Sequence, residues 1–206
     1  MFVIPPDLAT FVAASVLLAF VPGPDLLFVL TESMLRGRRA GLVATMGLCT
    51  GLIVHVGAVA LGVAALVQAS PMAFAGLRYA GAAYLVYLAW RAFRAAATPL
   101  SPDEIAQASL RAIYARAVTM NVTNPKVAIF FLAFLPQFAD VERGSLTGQM
   151  LILGAMFMIC SLVCFAVVTW LATWIGGWVR RQPERQAGLN RMASFVFVAL
   201  AAKLAL

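Results

Sequence analysis

The sequence predicts an all-α integral membrane protein with six transmembrane helices, and three observations carry that prediction. The 206 residues are 63% hydrophobic and only 11% charged, with a mean hydropathy of +0.94. A soluble domain averages about 45–50% apolar and about 25% charged residues. Second, six apolar stretches reach or approach the roughly 20 residues that a helix needs to cross the hydrocarbon; they cover 8–30, 41–67, 72–93, 117–138, 149–174 and 189–206. Third, the basic residues gather in alternate connecting segments, as the positive-inside rule requires of a chain that crosses repeatedly. The whole of 1–206 reads as one transmembrane domain with no extended soluble part.

The first run, 8–30, has no basic segment before it and exceeds the roughly 7–15 residues of a signal-peptide core. It therefore reads as a retained span. The second is rich in glycine, and Gly47 with Gly51 forms a small-xxx-small pair that permits close helix approach, inside one protomer or across a dimer. The third holds Tyr84 and Tyr87. A phenol in lipid needs a partner, which points at least one of them, Tyr84 first, toward a pathway. Between the third and fourth runs, Ser101 and Glu104 read as a capping box with Pro102 at the first helical position. Ala106, Leu110, Ile113 and Ala117 share one face there, so 102–116 reads as an amphipathic helix on the cytoplasmic surface. The fifth run carries Trp170 and Trp174 where an aromatic belt is expected. The sixth is short and contains Lys203, close enough to the chain end to snorkel.

Arg36, Arg38 and Arg39 follow the first run; Arg91, Arg94, Arg111 and Arg116 follow the third; Arg180, Arg181, Arg185 and Arg191 follow the fifth. These arginines belong in the cytoplasm, which leaves both termini periplasmic. Spans one and four then start on opposite faces, so two three-helix halves would form a 3+3 inverted repeat. The net charge of +7 follows from this one-sided placement, not from a nucleic-acid partner.

Polar residues interrupt the first and fourth runs. Pro125 has no N–H, so the carbonyl of Asn121 loses its helical partner, and in hydrocarbon such a group must be satisfied by protein or by water in a cavity. Asn124 is a good N-cap, Pro125 a good first residue, and Lys126 follows. N–H groups, dipole and ammonium converge there, which suits a carboxylate; a lysine snorkelling to the interface is the other reading. In the first run, Pro22, Gly23 and Pro24 precede Asp25, the one carboxylate well inside an apolar run. Asp25 is either an acid stabilising a helix start or a counter-charge or proton carrier on a transport path. His55, in mid-span, reads as a buried hydrogen-bonded histidine or as a proton relay. One histidine supports neither haem nor zinc ligation, so no metal or cofactor is expected. Paired interrupted spans are the sequence-level pointer to the binding site of a secondary transporter.

Pro22, Gly23, Pro24 and Asp25, the arginine cluster up to Gly41, the stretch 76–85, and Asn124, Pro125 and Lys126 with the run on to Phe138 together resemble the lysine-exporter superfamily. The likeness is strongest to the homoserine/threonine-resistance and leucine-export branch. The resemblance covers nearly the whole chain, in the expected order. It implies an amino-acid efflux permease of the bacterial inner membrane, driven by the proton motive force and assembled as a homodimer. It also places functional weight on Pro22, Gly23, Pro24, Asn124, Pro125 and Lys126. Many relatives have asparagine where this chain has Asp25, which bears on substrate choice and on a universal proton-carrier role there.

The sequence thus reads as a secondary transporter, not an enzyme, exporting a small neutral amino acid or derivative of the leucine, threonine or homoserine type. Its substrate-binding candidates are Pro22, Gly23, Pro24, Asp25, Tyr84, Asn121, Asn124, Pro125 and Lys126, with Asp25 and His55 as candidate proton relays. Two alternatives are a membrane thiol redox protein using Cys160 and Cys164, and a non-transporting assembly subunit. The interrupted segments contain no cysteine, whereas redox relatives of the superfamily typically carry theirs at such breaks, and cysteine is also a small packing residue.

Overall fold

The computed structural model describes residues 8–21, 23–94 and 109–180, together with Val198 and Ala202. Among them every regular element is helical: α1 (Leu8–Phe20), α2 (Pro24–Arg36), α3 (Arg38–Ala69), α4 (Pro71–Arg94), α5 (Leu110–Val122), α6 (Pro125–Phe134) and α7 (Leu146–Arg180), with 3-10 turns at Leu135–Phe138 and Val141–Arg143. Pro22, the capping box at Ser101 and Glu104, and the sixth run lie outside the described residues, apart from Val198 and Ala202 in that run.

Two helices, over Arg38–Gly62 and Leu146–Ala172, are long and apolar enough to cross a bilayer singly. The described segments that qualify rise to four when each of two bent pairs counts as one. These pairs are α1 with α2, bent by 58°, and α5 with α6 and its 3-10 turn, bent by 50°. Helix α4, at 24 residues, has the length of a span at about 1.5 Å per residue. The bends fall where Pro24 and Pro125 begin the second helix of each pair. The local cause is the missing proline N–H and the ring that would strike the preceding turn.

One helix joins two segments of the sequence reading, the described end of 102–116 and the start of the fourth run. No boundary separates a surface helix ending at 116 from a span beginning at 117, because α5 runs unbroken from Leu110 to Val122. Its N-cap is Ser109, whose hydroxyl accepts from the Ala112 N–H at 3.2 Å. Ile113, Ala117 and Asn121 form one buried stripe, while the Arg116 guanidinium sits 5.6 Å from the centre of the Phe28 ring on another face. An arginine with an aromatic face to rest on need not mark the end of a helix.

In lipid the apolar driving force between helices is weak, so close van der Waals packing decides the interfaces. Small residues accordingly face inward. A Cβ on Gly47 would lie 2.6 Å from that of Ala117 and 2.7 Å from the Tyr114 carbonyl oxygen, and one on Gly51 would lie 2.6 Å from Asn121 Oδ1. The Gly47–Gly51 face is therefore occupied inside the protomer, by α5, and not by a second copy. Large apolar residues such as Leu61, Ile159 and Trp170 are exposed on the outside of the bundle, where hydrocarbon would meet them. Gly37, with φ +82° and ψ 175°, makes the single-residue turn from α2 to α3 in a region that side chains do not tolerate.

Two packed clusters hold the bundle. One is aromatic: Phe11 of α1 stacks on Phe134 (5.6 Å between ring centres) and meets Phe138 edge-on at 5.1 Å, tying the first half of one bent pair to the second half of the other. Phe130, Phe131 and Phe157 complete it. The other gathers Phe28, Leu48, Ile113 and Phe165. Three buried hydroxyls are satisfied within their own helices: Ser15, Ser33 and Thr45 donate to the carbonyls of Phe11, Val29 and Gly41, four residues back.

Candidate functional site

At the first bend Gly23 is the N-cap of α2 and Pro24 its first residue, which places Asp25 in the first turn. An acid here suits the positive end of the helix dipole. Its oxygens, however, are directed across the protein. Oδ2 accepts from Asn121 Nδ2 at 2.9 Å and Oδ1 from Asn124 Nδ2 at 3.1 Å. These bonds span 96 and 99 residues of chain and join the two bends to each other.

Asn124 works at both ends of its amide. Oδ1 accepts from the Lys126 N–H at 3.0 Å and caps α6, while Nδ2 reaches Asp25. Serine or aspartate also caps a helix well, but serine lacks the second reach and aspartate would set two carboxylates against each other. The Asn121 carbonyl, deprived of a partner by Pro125, accepts instead from the Asn124 N–H at 3.0 Å and lies 3.0 Å from His55 Nε2. A carbonyl only accepts, so Nε2 carries the hydrogen. His55, 7% exposed, thus completes the hydrogen bonding of the break. Asn121 Oδ1 is buried without a hydrogen-bond partner, packed on the backbone of Gly51.

The two bends enclose a cavity of about 50 Å³, room for roughly four waters at about one probe sphere each. Gly23, Asp25, Asn121, Asn124 and Lys126 line its polar part; Leu52, Phe130, Phe131, Phe157 and Phe165 line its apolar part. The N-terminal ends of α2 and α6 both open on it. Lys126 is half-buried, and its Nζ lies only 2.9 Å from where a Cβ on Gly23 would stand. The absent side chain at 23 is what lets the lysine extend across the first break. One carboxylate, one lysine amine and two helix N-termini therefore share a single small chamber with an aromatic wall, an arrangement complementary to a small zwitterion.

Of the residues singled out in the sequence, the structure gathers Gly23, Pro24, Asp25, Asn121, Asn124 and Lys126 around the cavity, with Pro125 at the break and His55 just behind it. It does not bring Tyr84 there: that ring packs against the aromatic cluster, 5.7 Å from the Tyr87 ring centre. Cys160 and Cys164 are free thiols in the unbroken helix α7, and neither lines the cavity. Among the described residues no group of three or more metal-ligating side chains assembles. Sequence reasoning passed over three residues. Gly51 received a packing role without its partner Asn121. Ser161 is 2% exposed and lines the cavity. Glu32 is 5% exposed and paired with Arg36 one turn on; it lies just past the first apolar run, where charge is unremarkable.

Comparison with known proteins adds to this geometry. Residues 16–206 match the model of the LysE type translocator family. The chain is 33% identical over 206 residues to an uncharacterized membrane protein of Pseudomonas aeruginosa, covering 97% of this chain and 94% of that one. It is 33% identical over 196 residues to the homoserine/homoserine lactone efflux protein of Salmonella typhimurium, covering 95% and 94%. It is 30% identical over 198 residues to the leucine efflux protein of Klebsiella pneumoniae, covering 95% and 93%. No solved structure matches.

Proposed function

The chain belongs to the LysE type translocator family, multi-pass membrane translocators and not enzymes, and from that premise we propose that it exports a small neutral amino acid or a close derivative across the bacterial inner membrane. The observation that carries this reading is the junction of the two bends through Asp25, Asn121 and Asn124, with Lys126 beside it. Relatives named for efflux of homoserine and of leucine support the substrate class. The substrate carboxylate would lie at Lys126 and the N-terminal end of α6, where the lysine amine and the helix dipole favour an anion. The ammonium would face Asp25, whose oxygens retain lone pairs beyond the two amide bonds. The side chain would enter the aromatic part of the cavity.

Passage of a substrate from one side of the membrane to the other requires the bends to part. Rocking of one bent pair against the other would do this and would expose the cavity to each side in turn. Export against a gradient needs a driving ion, and proton influx, with Asp25 as carrier, is the coupling we propose. The alternating arginines support six spans in a 3+3 inverted arrangement with both termini periplasmic. A homodimer, implied by the family resemblance, would have to use a face other than Gly47 and Gly51.

Inverted membrane vesicles test the reading. With an acid interior they should accumulate labelled homoserine, threonine or leucine, and Lys126→Met should abolish accumulation while the protein still purifies as a folded species. Unaltered export by Lys126→Met would remove the proposed role, and accumulation of none of the three by the wild type would sink the amino-acid reading.

A further inference from the structure

Ser161 stands apart from the other buried hydroxyls. Ser15, Ser33 and Thr45 each donate to a carbonyl four residues back, at 2.7, 2.6 and 2.9 Å, and Thr169 Oγ1 lies 3.4 Å from Ser33 Oγ. Ser161, 2% exposed, makes no hydrogen bond with any described residue, although α7 continues through the carbonyl of Phe157. Among the described residues the one fully enclosed side-chain N or O atom without a partner is Asn121 Oδ1, so the Ser161 hydroxyl keeps contact with open space. The hydroxyl borders the cavity, which gives it somewhere to bond.

Its neighbours define which part of the cavity it serves. Phe157, Ser161 and Phe165 occupy successive turns on one stripe of α7, and all three line the chamber. The groups suited to an amino acid's carboxylate and ammonium come from other elements, α2, α5 and α6. Ser161 is therefore the hydroxyl carried on the aromatic wall, where a substrate's side chain would rest.

We propose that Ser161 is the selectivity residue for the substrate side chain, its hydroxyl bonding a side-chain oxygen, so that the preferred cargo is a short amino acid bearing a hydroxyl or carbonyl oxygen and not a plain aliphatic one. The inference rests on the amino-acid export reading above. It distinguishes two chemistries that the efflux relatives leave open, homoserine-like and leucine-like. A site that holds a hydrogen-bonding group in an apolar wall discriminates against an analogue lacking the matching oxygen, because that group is then left unpaired.

Homoserine and norvaline form the test pair, since they differ only in a terminal hydroxyl against a methyl. Full-length protein reconstituted in liposomes should transport homoserine with the lower KM. Ser161→Ala should raise the homoserine KM roughly two- to tenfold, the range of one neutral hydrogen bond, and leave norvaline within about twofold. Ser161→Cys, nearly the same size with a weaker donor, should fall between, and it reads the same ratio should the alanine variant fail to fold. A homoserine-to-norvaline ratio unchanged in the variants would overturn the proposal while leaving amino-acid export standing. Transport of neither compound by the wild type would overturn both.

Discussion

Replacing His55 with leucine keeps most of the imidazole's bulk and removes its N–H, which isolates what that hydrogen does. The Asn121 carbonyl accepts at the second bend from the Asn124 N–H at 3.0 Å, from the Thr123 N–H and from His55 Nε2 at 3.0 Å. The variant removes the last of these, at a residue only 1% exposed. Losing a net hydrogen bond costs about 0.5–1.5 kcal/mol, and leaving part of a buried acceptor unpaired raises this toward about 2 kcal/mol. The imidazole also packs 6.1 Å from the Phe131 ring centre, a contact that leucine partly retains. For a chain of this length about 1–2 kcal/mol corresponds to a fall of roughly 2–8 °C in Tm, readable by thermal unfolding in detergent. His55→Gln offers an amide N–H in place of the ring N–H and should recover most of the loss. Export driven by an imposed pH gradient should survive in the glutamine variant, because the Nε2 hydrogen is committed to a carbonyl that cannot pass it on. An unchanged Tm for His55→Leu would refute the bracing argument. A folded His55→Gln that exports only downhill would instead make the histidine a proton relay.

Two further substitutions probe the junction. Asn124→Asp preserves the cap on α6 but sets a second carboxylate against Asp25, so export should fall at least tenfold; adding Asp25→Asn restores one charge and one donor, and export by the double variant above that of Asn124→Asp alone is the outcome to measure. Gly23→Ala places a methyl 2.9 Å from Lys126 Nζ, the far end of a flexible chain that can swing away. Thermal stability should shift by less than about 1 kcal/mol, while the KM for export rises several-fold; an unchanged KM would show that the lysine does not need to lie across Gly23.

The local chemistry of the breaks was legible in the sequence; their meeting was not. A proline without an N–H, an asparagine before it and a lysine after it predict a helix start at 125 from neighbouring residues alone, and Pro24 with Asp25 does the same. The bonds from Asp25 to Asn121 and Asn124 cross nearly a hundred residues, and nothing near position 25 specifies them. The glycines of the second run announced a close approach without naming the helix that makes it. The continuity of α5 through Arg116 was not marked either: the guanidinium lies over the Phe28 ring, a partner distant in the chain. Tyr84 was drawn toward the pathway by the general need of a phenol for company, and in the structure its ring rests on the aromatic cluster beside Tyr87. Ser161 carries no signal at all in an apolar run, where serine is an ordinary packing residue.

The residue at position 25 sets how the two amides of the junction are used. A carboxylate offers acceptors on both oxygens, so Asn121 and Asn124 can each donate to it and the bends are pinned together twice. An asparagine at 25 offers one acceptor oxygen and an amide nitrogen that donates. One of the two pins would then have to be given up, or an amide turned round, and Asn124 cannot turn without uncapping α6. An asparagine at 25 would thus join the bends more loosely and remove the carboxylate that offsets Lys126. The lysine and two helix N-termini would be left facing the substrate's carboxylate without an acid for its ammonium. In this chain the same carboxylate that binds the bends together is the group proposed to meet the ammonium and the proton. Any event that neutralises Asp25 would weaken its bonds to both asparagines, so the proposed protonation and the proposed parting of the bends would act through one side chain.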